Sequence, residues 1–329
     1  MPSSDTQELR SRLGQATIVT DMVFVYEPPI GNGDNLFPYY QAAGVDFIQC
    51  HPAGDDHNIS QAIQRIARLR RDVRKREDCL LVHSIEDIEQ AKAAGKLAVG
   101  IQLEGFRCIE RNLDMIDLYY DLGVRLCHPI FNIVNSIGGG CTDGDDLGLT
   151  RFGRRVVERM NDVGMIVDGA HAGVRSQLDM IETSRDPVVC SHHGMRAIHP
   201  HARNLTDEVV RACAARGGVV GLTGAGYYLG GQPDADRLFA HVDYAVQMVG
   251  AGHVGLGLDW TADAGLLERA FASAPDVWGP LENWQPIAFF GPQMLWDLVA
   301  KMDEAGYGDA AIKGIIGGNW MRIAGAVWK

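Results

Sequence analysis

RFGRRVVERMNDVGMIVDGAH, residues 151–171, holds one unit of the fold. Residues 151–164 read as a helix that Gly164 ends, and MIVDGAH (165–171) reads as a buried strand that finishes on a histidine. The same step, from helix to apolar strand to polar strand end, recurs in both directions along the chain. Upstream lie IVTDMVFVY (18–26), GVDFIQC (44–50), AVGIQLEG (98–105) and VRLCHP (124–129). Downstream lie PVVCSHH (187–193), GVVGLTG (218–224) and HVGLGLDW (253–260). Together these are eight principal strands, with the short LLVHS (80–84) as an accessory.

Helices separate nearly all of them. Residues 58–74 put Ile59, Ile63, Ile66 and Leu69 on one face, Gly95 stops a helix from 85, and Thr206 caps the one that follows. Right-handed strand–helix crossovers give a parallel sheet. Eight of them in a chain of 329 residues predict an α/β fold of the (β/α)8 TIM-barrel type. The open doubly wound alternative needs a Gly-x-Gly-x-x-Gly turn after the first strand, and IGNGDN (30–35) lacks its third glycine. No proline- or serine-rich linker divides the chain. One domain over 1–329 is expected, with a short N-terminal helix, where Asp5 and Glu8 stand in capping-box spacing, and a C-terminal helical extension.

Composition narrows the function. Lys plus Arg is 30 against 42 Asp plus Glu, a formal charge of −12, which argues against a nucleic-acid partner. MPSSDTQELRSRLGQ has no apolar signal core, and no charge-free apolar run approaches membrane-spanning length. The seven cysteines form no C-x-x-C pair and read as mostly buried thiols of a reducing compartment. A cytoplasmic enzyme with no membrane partner is the expectation.

The chemistry sits where strands end. Glu104, His128, His171, His192 and Asp259 each close an apolar strand, and in a barrel such ends converge on one mouth. Any one of them alone has an ordinary structural reading, as a helix cap or a hydrogen-bonded core histidine. Together they are expensive to bury unless partnered, and a divalent ion satisfies several at once. Two imidazoles with one or two carboxylates suit Zn²⁺, with Mn²⁺ and Fe²⁺ as rivals, and favour water-dependent hydrolysis of amides, esters or lactones. Glu104, His171, His192 and Asp259 are the candidate metal ligands, and Asp259 the candidate proton carrier. His128 is placed for the scissile carbonyl, and Arg203 for bidentate capture of a substrate carboxylate. His193, next to His192, points to the other strand face and reads as structural. No Walker A, H-E-x-x-H or G-x-S-x-G motif is present. Trp260, Trp278, Trp284, Phe289 and Phe290 crowd the segment 261–290 and its edge, either lining an apolar pocket or packing a loop onto the rim.

Seven features in order, LEG with Glu104, LCH with His128, GLTRFGRRVVERMNDVGMIVDGAH, VCSHH, ARNLTDE with Arg203, GLGLDW and IIGGNWMRI, resemble the renal or membrane dipeptidase-type metallopeptidases, peptidase family M19 of the amidohydrolase-like barrels. The resemblance implies a (β/α)8 barrel, zinc, a dipeptide or related small amide as substrate, and a homodimer. It implies Glu104 as a bridge between two metals, His171 and His192 at one ion, Asp259 at the other, His128 at the substrate carbonyl and Arg203 on its carboxylate. Val23 and Val25 stand where the resemblance places the family's first-strand His-x-Asp metal pair. A depleted centre is therefore expected, with one firmly held zinc, a second site weak or absent, and Glu27, His51 or His57 as poor substitutes. The same departure motivates an alternative: a lyase, decarboxylase or lactone hydrolase on this barrel, or a metal-poor non-catalytic homologue.

Overall fold

The computed structural model describes residues 4–26 and 33–329. Nine strands run along the described chain: β1 Thr20–Val25, β2 Phe47–His51, β3 Cys79–Leu81, β4 Leu97–Glu104, β5 Val124–His128, β6 Ile166–Val167, β7 Val189–His193, β8 Val219–Leu222 and β9 Val254–Leu256. All pairings between them are parallel. One sheet runs β1-β2-β4-β5-β6, and a second runs β7-β8-β9. β3 is a branch that pairs only with the first half of β4, as an accessory strand should. The result is an α/β fold with a parallel core, as the strand–helix alternation requires.

Helices occupy the predicted intervals, including Ile59–Arg74, Arg151–Val163, Asp207–Ala215 and Ala235–Val249. Local chemistry sets their ends. Thr206 accepts from the Val209 amide at the start of Asp207–Ala215, and Thr150 does the same for Gly153 at the start of Arg151–Val163. Gly164 closes the latter helix at φ 90°, a backbone state that favours glycine. Five α-helices follow β9: Ala264–Ser273 and Pro275–Trp278, then Leu295–Glu304, the short Asp309–Lys313 and Asn319–Val327. No described helix is long and apolar enough to cross a membrane. None of the seven cysteines is disulfide-bonded, and only Cys141 is more than marginally accessible.

Two buried aspartates stitch the sheets to each other. At the β6/β7 seam Asp168 Oδ1 accepts from the Ser191 and Ala170 amides, while the Asp168 backbone bridges to Val189. At the β9/β1 seam Asp21 Oδ1 accepts from the Leu258 amide at 2.7 Å and the Val23 amide at 3.1 Å, and Phe24 bridges to Trp260. β6 itself is two residues long, and beyond it the Asp168 amide donates to the Cys127 carbonyl at 3.0 Å and the Gly169 amide to the Val189 carbonyl at 2.8 Å. Below these seams one apolar cluster takes Met22, Phe47, Ala98, Leu126, Ile166, Val189 and Val219 from seven different strands, and Trp320, Ile323 and Val327 of the last helix cover it.

Candidate metal centre

The site is built at the carboxyl ends of consecutive strands. Glu104 is the last residue of β4 and sits in register with His128, the last of β5. His171 follows β6 in the turn after Asp168, at φ 64°, and His192 belongs to β7. A non-glycine residue at such a φ is uncommon and costs backbone strain, which this site sustains for ring placement. Donor atoms of Glu104, His128, His171 and His192 all lie within 4.8 Å of one another.

Hydrogen bonds fix what each ring offers. His171 Nδ1 lies 2.8 Å from Asn132 Oδ1, which makes Nδ1 the donor and leaves Nε2 a bare lone pair. His192 Nδ1 lies 2.7 Å from the Ser191 hydroxyl. The two Nε2 atoms then face each other at 3.0 Å. His128 is fully buried, and neither ring nitrogen has a hydrogen-bond partner among the described residues; Nε2 stands 3.4 Å from Glu104 Oε1. Buried ring nitrogens without partners, gathered with a carboxylate within bonding reach of one point, are what a cation would resolve, so the residues fit a divalent metal.

Electrostatics prepare the donors. Burial, reinforced by the Arg203 guanidinium, holds His171 and His192 far below the usual imidazole range, and burial lowers His128 too, so the rings stay neutral. Burial alone would raise the Glu104 carboxyl, but His51, His128 and Arg203 outweigh it and hold the group down at about 2. Asp259 behaves oppositely. Burial, then the neighbouring Glu104 charge, pushes it up to about 7. The two carboxyl groups are thus separated in acidity by their surroundings.

A cavity of about 660 Å³ opens over this cluster. Glu104, His171, Asp259 and His51 line it, so the centre is reached from that side. Asp259, at φ 55°, stands outside the four-donor cluster. His51, from the end of β2, is drawn to the site, with Nδ1 3.1 Å from Glu104 Oε1. His57 is not; its Nδ1 faces Asp56 and the Gly54 amide. Glu27 lies outside the described residues. Arg203 is buried, with Nη1 2.6 Å from His193 Nδ1, and its Nε and Nη2 have no hydrogen-bond partner among the described residues. His193 is thus engaged with Arg203, away from the cluster. The aromatics divide. Trp278 lines the cavity, Trp284 and Phe290 are buried, and Trp260 packs on Tyr39 and Tyr40.

One expectation is corrected. The centre is not depleted by Val23 and Val25: an intact set of three histidines and a glutamate is assembled, drawn from the ends of β4 to β7, and β1 supplies none of it. Val23 is buried and Val25 lines the cavity. His128, expected only at the substrate, joins the donor set because β5 pairs in register with β4. Asn132 and Ser191 were missed. The available signal for Asn132 was an asparagine, a residue type that tolerates positive φ, four residues after His128; it sits at φ 53°.

A parallel α/β core with a buried, cavity-facing donor set of this kind defines a metal-dependent hydrolase of the amidohydrolase-like class. The chain belongs to the membrane dipeptidase family, peptidase family M19, whose profile matches residues 40–273. An uncharacterized protein from the pqqA 5' region of Klebsiella pneumoniae is 27% identical over 258 residues, 75% of this chain and 88% of that protein. Among solved structures, an amidohydrolase from Pseudomonas aeruginosa superposes with a TM-score of 0.89 at 25% identity, over 97% of this chain and 98% of the other. The probable dipeptidase PvdM from Pseudomonas aeruginosa has the same fold, with a TM-score of 0.82 at 19% identity over 99% of each chain.

Proposed function

We propose that the chain is a zinc-dependent hydrolase of dipeptides or related small amides, working at the mouth of a closed (β/α)8 barrel. The observation that carries this reading is the convergence of the His171 and His192 Nε2 atoms, 3.0 Å apart, with Glu104 and a buried His128 ring whose nitrogens have no hydrogen-bond partner among the described residues. Closure is supported by the two aspartate seams and by the cluster drawn from seven strands.

Glu104, His171 and His192 would hold the ion, with His128 completing the set. When bound there, a divalent ion supplies Lewis acidity towards a carbonyl and acidifies a water. The protein does the rest. The cavity reaches Glu104 and His171 and so leaves a side open to substrate. Asp259, on the cavity wall, takes the proton released from water and delivers it to the leaving amine. Arg203 keeps Nε and Nη2 available for a substrate carboxylate, and His193 and the Tyr228 ring, 5.4 Å away, steady the guanidinium. His51 orients Glu104 through its 3.1 Å contact.

The test is hydrolysis of a dipeptide panel by the zinc-loaded chain, beside metal content per chain. Wild type should carry zinc and cleave at least one dipeptide. Asp259→Asn should keep its metal and lose roughly 10²–10⁴-fold in rate, the usual weight of general acid–base catalysis. A zinc-loaded chain inert towards every dipeptide, or an Asp259→Asn variant at full rate, contradicts the reading.

A further inference from the structure

One wall of the cavity is a continuous aromatic surface that begins at a metal-centre residue. The Phe131 ring stacks on His171, with centroids 4.2 Å apart and planes 25° from parallel. Trp278 meets Phe131 edge to face at 5.3 Å and 85°, and meets Phe271 at 4.2 Å. Phe131, Phe271 and Trp278 all line the cavity, with Val134 and Val277 beside them. Val134 is 64% exposed, though nothing about a loop residue requires an apolar side chain in water. At about 660 Å³ the space far exceeds what two small amino acids fill, and it lies in the range of ordinary organic-ligand pockets.

We propose that this wall is a specificity subsite for an aromatic or bulky apolar group, carried next to the carbonyl that reacts at the centre. The proposal rests on the hydrolase reading for its choice of carbonyl, and it names the substrate class within it. The reasoning is positional. Because the aromatic surface starts on the His171 ring, a group attached beside a carbonyl held at the cluster lies along Phe131 and ends against Trp278. Aromatic rings favour offset-stacked and edge-to-face partners, and Phe131 and Trp278, which meet at 85°, both line the cavity that an incoming ring would enter. A methyl group at the same place would leave these surfaces wet.

Binding separates this proposal from the catalytic one. The probes are acetohydroxamate and 3-phenylpropanohydroxamate, which share a metal-seeking head and differ in the apolar group, titrated calorimetrically into the zinc-loaded chain. The phenyl compound should bind at least about 10-fold more tightly, since burial of an aromatic group is worth that much or more. In Trp278→Ala the ratio should fall towards one while acetohydroxamate affinity stays unchanged, and Trp278→Phe should restore most of it. Val134→Ser, at an exposed position where folding is not at stake, should lower the ratio in the same direction. Equal affinities in wild type, failure of both probes to bind, or a ratio unmoved by both Trp278→Ala and Val134→Ser overturns the proposal. If the ratio behaves as stated while every dipeptide is inert, the subsite stands and the dipeptidase reading falls.

Discussion

At the scale of single residues, the decisive feature is how little freedom the imidazoles have. Asn132 Oδ1 fixes the proton of His171 on Nδ1 from 2.8 Å, and the asparagine is itself fully buried. It thereby orients one ring of the four-donor cluster. Removing such a partner typically costs 10–100-fold in metal affinity. Asn132→Ala should therefore lower zinc affinity by roughly that factor, read by competition with a chromophoric chelator, while His171→Ala should abolish tight binding. Unchanged affinity in Asn132→Ala would show that the ring needs no holder. The donors themselves were legible in the sequence, because a lone Glu or His at the end of an apolar strand announces itself. Their holders were not. Asn132 sits in a loop and Ser191 inside a strand, and neither residue type departs from what those settings usually contain. His128 was legible as a site residue but not as a donor, because its role depends on the β4–β5 register, which no single strand encodes.

At the scale of elements, strand existence and order followed from apolar runs and glycine stops, whereas strand ends did not. MIVDGAH reads as seven strand residues, yet only Ile166 and Val167 join a ladder. Asp168 keeps single backbone bonds to both neighbouring strands, and its carboxylate adds a bond to the Ser191 amide. Asp21 stays in the β1–β2 ladder opposite Ile48, and its carboxylate bonds across the other seam, with Tyr40 donating to its Oδ2. Burial pushes the Asp21 carboxyl up to about 6, despite the hydrogen bonds that Leu258, Val23 and Tyr40 donate. A folded-state value above the unfolded one means that the native chain holds the proton more tightly. The stabilisation is fully present below the unfolded value and is lost as pH rises through about 6. Asp21→Asn keeps an acceptor and removes the titration. In urea unfolding, wild type should gain roughly 2 kcal/mol on the variant between about pH 7.5 and about pH 4.5. A constant gap between the two proteins would mean that folding does not raise the Asp21 carboxyl.

At the scale of the whole molecule, the two ends of the strand set have different jobs. The carboxyl ends carry the polar groups and the strained residues His171 and Asp259. The amino ends carry apolar side chains, gathered under the helix Asn319–Val327. Trp320 is the centre of that cover: it is 2% exposed, and its Nε1 donates to the Leu256 carbonyl at 3.1 Å. Its ring also sits against Gly221 and Gly255, where any Cβ would collide with it or with nearby backbone. The sequence shows the motif IIGGNWMRI, but only the assembled fold shows why its tryptophan matters. Trp320→Ala removes a large buried ring and one hydrogen bond, and should cost about 3–5 kcal/mol of stability. The loss lies in the apolar cluster under Asn319–Val327, which includes none of the four donors, so the part that remains folded should keep wild-type zinc affinity. Thermal unfolding and a chelator titration on the same sample read both quantities. A large drop in melting temperature with unchanged affinity is the expected pair. Equal loss of both would mean that floor and mouth form one cooperative unit, in which the apolar cluster holds the metal ligands in place as well as the strands.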